Sequence, residues 1–214
     1  IIEDASHALG GEYLEKKIGN CEYSDMAVFS FHPVKMITTG EGGAIMTNNK
    51  TLAKKARLIA NHGGKGLHLI EGINSRLDSI QAAFLNIKLR YLISDTAKRI
   101  QNSNIYLKNF RSSKNIKVNK SIIGNKNVYH QFPIRIKNRD ALMLYLKRNE
   151  IETMIFYKKI LPLMKAYKYL FLKAKDFPNA IKASKEILCL PISQNHNMNT
   201  INKIAKKITY INNK

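Results

Sequence analysis

The sequence of 214 residues predicts an α/β protein with two domains. Two apolar runs, at 26–29 and 44–46, flank a loop with three glycines, a pattern typical of two strands joined by a functional loop. Apolar residues then repeat at helical spacing over 51–61, so that strands and helix alternate. A stretch rich in Ser, Asn and Lys at 111–127 indicates a domain boundary.

The elements before this boundary follow from local signals. Residues 1–2 are expected to end a buried strand, and 12–25 to form a polar excursion between strands. Gly63 and Gly64 end the helix at 51–61. Ser75 with Asp78 resembles a capping box, which predicts a helix from about residue 75, with helical character to about 110. Its apolar stripe is expected to be buried on more than one side, and comprises Ile80, Ala83, Phe84, Ile87 and Tyr91.

Beyond the boundary the pattern predicts a small α+β domain. Strands are expected at 128–136 and 153–157. Asn138 can cap a helix at 139–149, and Asp176 can cap a helix that starts near Pro178 and includes Leu188. A last helix is predicted after Asn199. The resulting division is 1–93 for the large domain, 94–127 for a helical and basic linker, and 128–214 for the small domain.

Composition excludes several classes of protein. Apolar residues make up 44% of the chain, too many for a disordered protein, and no apolar run approaches the ~18 residues that span a bilayer. The two cysteines lack metal-type spacing and indicate no disulfide framework, so we expect no metal site and a cytoplasmic location. The net charge of +21 lies outside residues 1–50, which carry 4 basic and 7 acidic residues. A basic nucleic-acid-binding module is therefore a minor alternative.

Lys35 is the candidate reactive residue. A lysine held between buried strands loses hydration, which lowers its pKa and frees the amine to form a Schiff base with a carbonyl compound. A lone loop lysine is more often a solvated surface residue. Asp4 at the end of a strand can cap a turn or pair with a protonated ring nitrogen, and Asn74 can be a turn residue or an anion ligand near a helix start.

Four motifs together resemble the DegT-type nucleotide-sugar aminotransferases, which are fold-type I pyridoxal-phosphate enzymes. They comprise residues 3–8 (EDASHA), 30–35 (SFHPVK), 39–43 (TGEGG) and 74–83 (NSRLDSIQAA). The resemblance implies an α/β fold that is the C-terminal part of a fold-type I transferase: part of the large mixed-sheet domain plus a small α+β domain. The chain is accordingly expected to lack the N-terminal segment of such an enzyme.

The resemblance also implies roles at single positions. Lys35 matches the lysine that binds pyridoxal 5′-phosphate and moves a proton during amino transfer. Asp4 matches the carboxylate that keeps the pyridine nitrogen protonated, and His7 lies where the family places a Gln or His near the ring oxygen. Ser30 matches a phosphate ligand. Asn74 matches a phosphate ligand donated by the neighbouring subunit, which implies a homodimer.

The implied reaction moves an amino group, usually from glutamate, onto a keto group of a nucleotide-linked sugar, in amino-sugar and surface-polysaccharide biosynthesis. The sequence of residues 30–43 is similar to that of transaminases that make 4-amino-4,6-dideoxy sugars of the pseudaminic acid type, but it does not determine which sugar is the substrate. Residues 156–162 depart from the family pattern, since two prolines and a substrate-side histidine are replaced. An inactive remnant or accessory subunit is therefore an alternative, and the 214 residues alone are not expected to be competent.

Overall fold

The structure is a computed structural model that describes residues 1–64, 66–119 and 121–212. The chain forms two compact units, the first from Ile1–Ala97 with Ser121–His130, and the second from Lys98–Lys120 with Gln131–Lys214. The strands are β1 (Ile2–Asp4), β2 (Glu12–Tyr13), β3 (Lys16–Lys17), β4 (Met26–Ser30), β5 (Gly43–Met46), β6 (Lys117–Val118), β7 (Asn125–Lys126), β8 (Phe132–Arg135) and β9 (Ile187–Leu190). The helices are α1 (Lys50–Ala60), α2 (Ser79–Leu89), α3 (Leu92–Phe110), α4 (Arg139–Arg148), α5 (Pro178–Glu186) and α6 (Met198–Asn212). This content confirms the mixed α/β class.

The first unit is organised around the sheet β1-β4-β5. β1 runs parallel to β4, with Asp4 opposite Val28, and β4 runs antiparallel to β5, with Ser30 opposite Gly43. Parallel strands have their carboxyl ends at the same edge, so Asp4 and the residues that follow Ser30 share one edge of the sheet. Ile1 is 81% exposed. The expectation of burial at residues 1–2 is wrong, because β1 is an edge strand here.

The helices of the first unit begin at short polar side chains. The Asn49 side chain accepts hydrogen bonds from the backbone N–H groups of Thr51 and Leu52 at 2.9 and 3.1 Å, and α1 ends near the predicted residue. Asp78, rather than Ser75, caps α2, and the Gln81 side chain completes the capping box. The prediction of a start at 75 is therefore wrong, because the Asp78 carboxylate takes the capping role.

The apolar stripe of α2 is exposed instead of buried. No residue of this helix is buried. Ile80, Phe84, Ile87 and Tyr91 are between 54% and 70% exposed. The prediction that this apolar stripe is buried on more than one side is therefore wrong for the described residues of a single chain.

The second unit has a well-packed core behind the sheet β6-β8-β9. Tyr106 of α3 is fully buried and its ring lies 4.8 Å from that of Phe132. The last helix was predicted correctly: Ile201, Ala205 and Ile208 on α6 are each 0% exposed.

Three predicted elements of the second unit differ. Of the strand expected at 128–136, only β8 forms. The residues before it do not form a strand, because Tyr129 adopts a φ of +48°, which a β-strand does not allow. The stretch 153–157 forms a single bridge, Met154 to Cys189, and not a strand. The helix from Pro178 ends at Glu186, because the next four residues pair with β8 as β9.

Polar residues near these helices also differ from expectation. Asn138 occupies the position before α4, but its side chain makes no capping hydrogen bond. The Asp176 carboxylate accepts from the backbone N–H of Lys173 at 2.8 Å and does not cap α5. No helix among the described residues is both long and apolar enough to cross a bilayer.

Candidate active site

Lys35 lies in the loop that joins β4 to β5. The backbone N–H of Phe31 donates to the Gly42 carbonyl at 2.8 Å, and Thr39 N–H donates to the Phe31 carbonyl at 3.1 Å. Phe31 and Ile37 are 4% and 5% exposed, so they anchor the loop in apolar surroundings. The N–H of Lys35 donates to the His32 carbonyl at 2.9 Å. These contacts hold a half-buried lysine beyond the carboxyl end of β4.

Asp4, the last residue of β1, presents an ionised carboxylate at the same edge. Its Oδ1 accepts a hydrogen bond from the backbone N–H of Ser6 at 3.0 Å. Hydrogen bonds from the side chain and backbone of Ser6 lower the pKa of Asp4, and the charges of His7 and Lys35 act in the same direction. A carboxylate of this kind can hold a proton on a neighbouring ring nitrogen.

His7 completes this group of side chains. Partial burial of the ring, which stays accessible to solvent, lowers the pKa of His7, and the positive charge of Lys35 adds to this effect, whereas the carboxylate of Asp4 opposes it. The imidazole is therefore neutral at pH 7 and can donate through one nitrogen and accept through the other. Asp4, His7 and Lys35 act on one another electrostatically, so the structure brings these three predicted residues together.

Ser30 and Asn74 are placed differently. Ser30 ends β4 at the edge that carries Asp4, and its hydroxyl oxygen accepts from the His32 N–H at 3.3 Å. Asn74 is exposed and forms a bridge with Asn61, while its side-chain oxygen accepts from Arg76 Nε at 3.4 Å. The described contacts of Asn74 do not reach Asp4, His7 or Lys35.

The glycine loop packs closely against the segment that leads into α2. A Cβ added at Gly42 would lie 2.8 Å from Leu77 Cδ1 and 3.1 Å from Thr39 Oγ1. The Gln81 amide nitrogen donates to the Glu41 carbonyl at 2.6 Å. Sequence reasoning missed this role of Gln81, because the Asp-x-x-Gln spacing of a capping box points only to its contact with the Asp78 backbone and not to a residue 40 positions away.

The chemistry of these side chains fits pyridoxal phosphate. An amine can bind its aldehyde, a carboxylate can face its ring nitrogen, a neutral imidazole can meet its ring oxygen, and a hydroxyl at a strand end can bind phosphate. No group of three or more His, Cys, Asp or Glu among the described residues is arranged to hold a metal ion.

A fifth side chain at this edge was not predicted as functional. The His130 ring lies 4.4 Å from the His7 ring, centroid to centroid, at an interplanar angle of 46°. Sequence reasoning placed His130 in a strand of the small domain, and a contact between residues 123 positions apart has no local signal.

Comparison with known proteins identifies the family. Residues 1–209 match the DegT/DnrJ/EryC1/StrS aminotransferase family. The chain belongs to this family. It is 34% identical to a dTDP-3-amino-3,6-dideoxy-alpha-D-galactopyranose transaminase of Aneurinibacillus thermoaerophilus, over 97% of this chain and 57% of that protein. A UDP-4-amino-4,6-dideoxy-N-acetyl-beta-L-altrosamine transaminase of Campylobacter jejuni is 41% identical over 63% of this chain and 37% of its own length.

The fold of these family members is also matched. The crystal structure of Streptomyces venezuelae DesV in complex with a ketimine intermediate superposes with a TM-score of 0.96 at 30% identity, over 100% of this chain and 58% of that one. The match confirms the predicted fold-type I architecture. The chain spans about half the length of the curated relatives it matches.

Proposed function

We propose that this chain is part of a nucleotide-sugar aminotransferase and that it contributes the part of the pyridoxal phosphate site that contains the cofactor-binding lysine. The observation that carries the proposal is the convergence of Asp4, His7 and Lys35 at the carboxyl ends of two parallel strands. The bound cofactor would supply an electron sink for moving an amino group. Glutamate is the proposed donor and a nucleotide-linked keto sugar the proposed acceptor.

Each residue has a distinct task in this proposal. Lys35 would hold the cofactor and move a proton at the substrate carbon. Asp4 would keep the ring nitrogen protonated, and its lowered pKa ensures that it is charged at neutral pH. Ser30 and, from a second subunit, Asn74 would bind the phosphate. The two free cysteines, Cys21 and Cys189, are in keeping with a reducing cytoplasm.

The cofactor assignment is tested by reductive trapping. The protein, expressed from its own reading frame, is mixed with pyridoxal phosphate and borohydride, and the modified peptide is identified by mass spectrometry. Because this aldehyde reacts with any exposed lysine, the position of the label at substoichiometric cofactor is the informative readout. We expect label at Lys35, its loss in Lys35→Ala, and no change in Lys54→Ala, which alters an exposed lysine of α1.

Label spread evenly over the lysines, or retained at the same yield in Lys35→Ala, would refute the cofactor site. Formation of 2-oxoglutarate from glutamate with a keto-sugar nucleotide then tests the reaction. Label at Lys35 without 2-oxoglutarate would favour the second candidate, a cofactor-binding subunit without turnover. The exposure of Asp4 and His7 in this chain is the observation that favours that candidate.

We also propose a homodimer that uses the exposed face of α2. Ile80, Phe84 and Ile87 lie on one side of the helix, exposed Tyr91 follows just beyond its end, and exposed apolar surface of this kind marks interaction sites. The segment that contains Asn74 directly precedes this helix. If a second copy binds to the exposed face of α2, Asn74 therefore lies close to the interface and can approach the site of that second copy. An isologous contact would place the stripe against its own copy.

Light scattering after size exclusion tests the dimer. Phe84→Asp should convert a dimer to a monomer, because a charge on the stripe is desolvated in the interface. Ile123→Asp is the matched control, since Ile123 is 95% exposed but lies outside α2. A dimer that survives Phe84→Asp contradicts this interface.

A further inference from the structure

His130 reaches the site from a part of the chain far from the motifs. It ends the segment 121–130, which folds with the first unit although the residues on both sides of it belong to the second unit. We call this segment the strap. The ring of His130 is half-buried and contacts the ring of His7 at a centroid distance of 4.4 Å.

The strap is fixed to β2 and the residue after it, which follow the loop that carries His7. β7 within it pairs antiparallel with β2, and the N–H of Leu14 donates to the Gly124 carbonyl at 2.8 Å. Lys126 Nζ lies 3.0 Å from Glu12 Oε1, and Val128 is 5% exposed. The strap thus follows the chain just beyond His7 and ends against the His7 ring.

The backbone turns sharply immediately before His130. Tyr129 has a φ of +48°, a left-handed conformation that is strained for a non-glycine residue. Such a conformation persists where surrounding contacts determine it, and here it lies between the buried Val128 and the His130 ring. The contact between the two histidines is therefore built by the strap and is not a chance approach of surface side chains.

We propose that His130 is a positioning residue that packs on His7 and keeps its imidazole neutral and fixed beside Lys35 and Asp4. The inference rests on the proposed function, since it assigns a residue that contacts a side chain of the same site and not the cofactor itself. The charged and titratable groups that face His7 are Asp4 from the end of β1, Lys35 from the loop after β4, and His130 from the strap.

The chemical reason lies in the charges around His7. A protonated His7 would repel the Lys35 ammonium and compete with the cofactor for Asp4, whereas a neutral imidazole leaves that pairing intact. Partial burial is the main cause that lowers the pKa of His7, and the tilted His130 ring in contact with the imidazole removes water from one side of it. His130 therefore acts through His7 and has no contact of its own with the reacting atoms in this proposal.

Titration of the six histidines by NMR tests this role without cofactor. The His7 signal is assigned from a His7→Gln variant, and its midpoint is followed in two replacements of His130. In His130→Gln, which removes the ring, the His7 midpoint should rise towards the ordinary value of 6.5. In His130→Phe, which keeps an apolar ring, it should stay low. His68→Phe, in a different loop, should leave it unchanged.

An unchanged His7 midpoint in both His130 variants would overturn the proposal, and an equal rise in both would show that the ring is not what matters. If His130→Gln disturbs the fold of the first unit, seen as a shifted His62 signal, the low midpoint must still be present in His130→Phe. Since this readout needs no pyridoxal phosphate, failure of labelling at Lys35 would refute the proposed function and leave the His7 result standing.

Discussion

Replacement of Asn102 offers a direct test of how the second unit is held together. Asn102 is 2% exposed, and its side-chain amide donates to the carbonyls of Ser193 and His196 at 3.0 and 2.9 Å. In Asn102→Ala the His196 carbonyl loses this donor, whereas the Ser193 carbonyl still accepts from the backbone N–H of His196 at 3.3 Å. An unsatisfied buried acceptor costs ~1–3 kcal/mol, so the free energy of unfolding should fall by ~1–3 kcal/mol.

Urea denaturation followed by circular dichroism measures this change. With a slope of ~2 kcal/mol per molar urea, the midpoint should fall by ~0.5–1.5 M. Asn104→Ala is the matched control, because Asn104 is exposed on the same helix and should change stability by less than ~0.5 kcal/mol. Asn102→Asp keeps the shape but removes the donor, and should destabilise at least as much as Asn102→Ala.

Equal midpoints for Asn102→Ala and Asn104→Ala would refute the reasoning. That result would mean that water replaces the amide at the His196 carbonyl without cost. A loss in Asn102→Ala with none in Asn102→Asp would instead assign the effect to lost volume and not to the hydrogen bonds.

Three further predictions concern packing, the glycine loop and pH. Leu146→Ala should cost ~2–5 kcal/mol in urea denaturation because Leu146 is 0% exposed, whereas Leu144→Ala, at a position that is 50% exposed on the same helix, should cost far less. Gly42→Ala should displace Leu77 by its new methyl group, visible as shifted Leu77 methyl NMR signals, and lower the trapping of pyridoxal phosphate. The pKa of His7 is lowered in the folded chain, so protonation of His7 favours the unfolded state, and the stability of the fold decreases as pH falls below 6.5. His7→Gln should therefore weaken the pH dependence of the thermal midpoint in that range. An unaltered pH dependence would contradict the lowered pKa.

Local patterns predicted the elements around Lys35, whereas the roles of single site residues were implied by the resemblance to the family. Apolar runs on either side of Lys35 indicated two strands, and β4 and β5 form there. The parallel pairing of β1 with β4 was not predicted, because a long polar segment separates the two strands. Helical periodicity placed the last helix correctly, because Ile201 and Ile208 lie on one narrow face and pack as a unit.

The remainder depended on interactions that local patterns do not encode. Ser75 and Asp78 are both good caps, and Asp78 takes the role with a capping bond from the Ile80 N–H at 2.8 Å. Gln81, which completes its capping box, also donates to the Glu41 carbonyl, a contact that local spacing does not encode. The run at 187–190 is apolar enough for either a helix or a strand, and pairing with β8 decides it. The partners of His7 and of Asn102 are distant in sequence, so periodicity gave no sign of them.

The strap also constrains the order in which the chain can fold. Glu12 and Lys126 are separated by 114 positions, so the sheet β3-β2-β7 closes a loop that contains most of the first unit and the whole of α3. During synthesis, β2 can pair with β3 at once, but its second partner strand, β7, is made only after more than a hundred further residues. Closure of so long a loop is slow, and the lysine motif can therefore be assembled well before His130, which we propose to position His7, arrives.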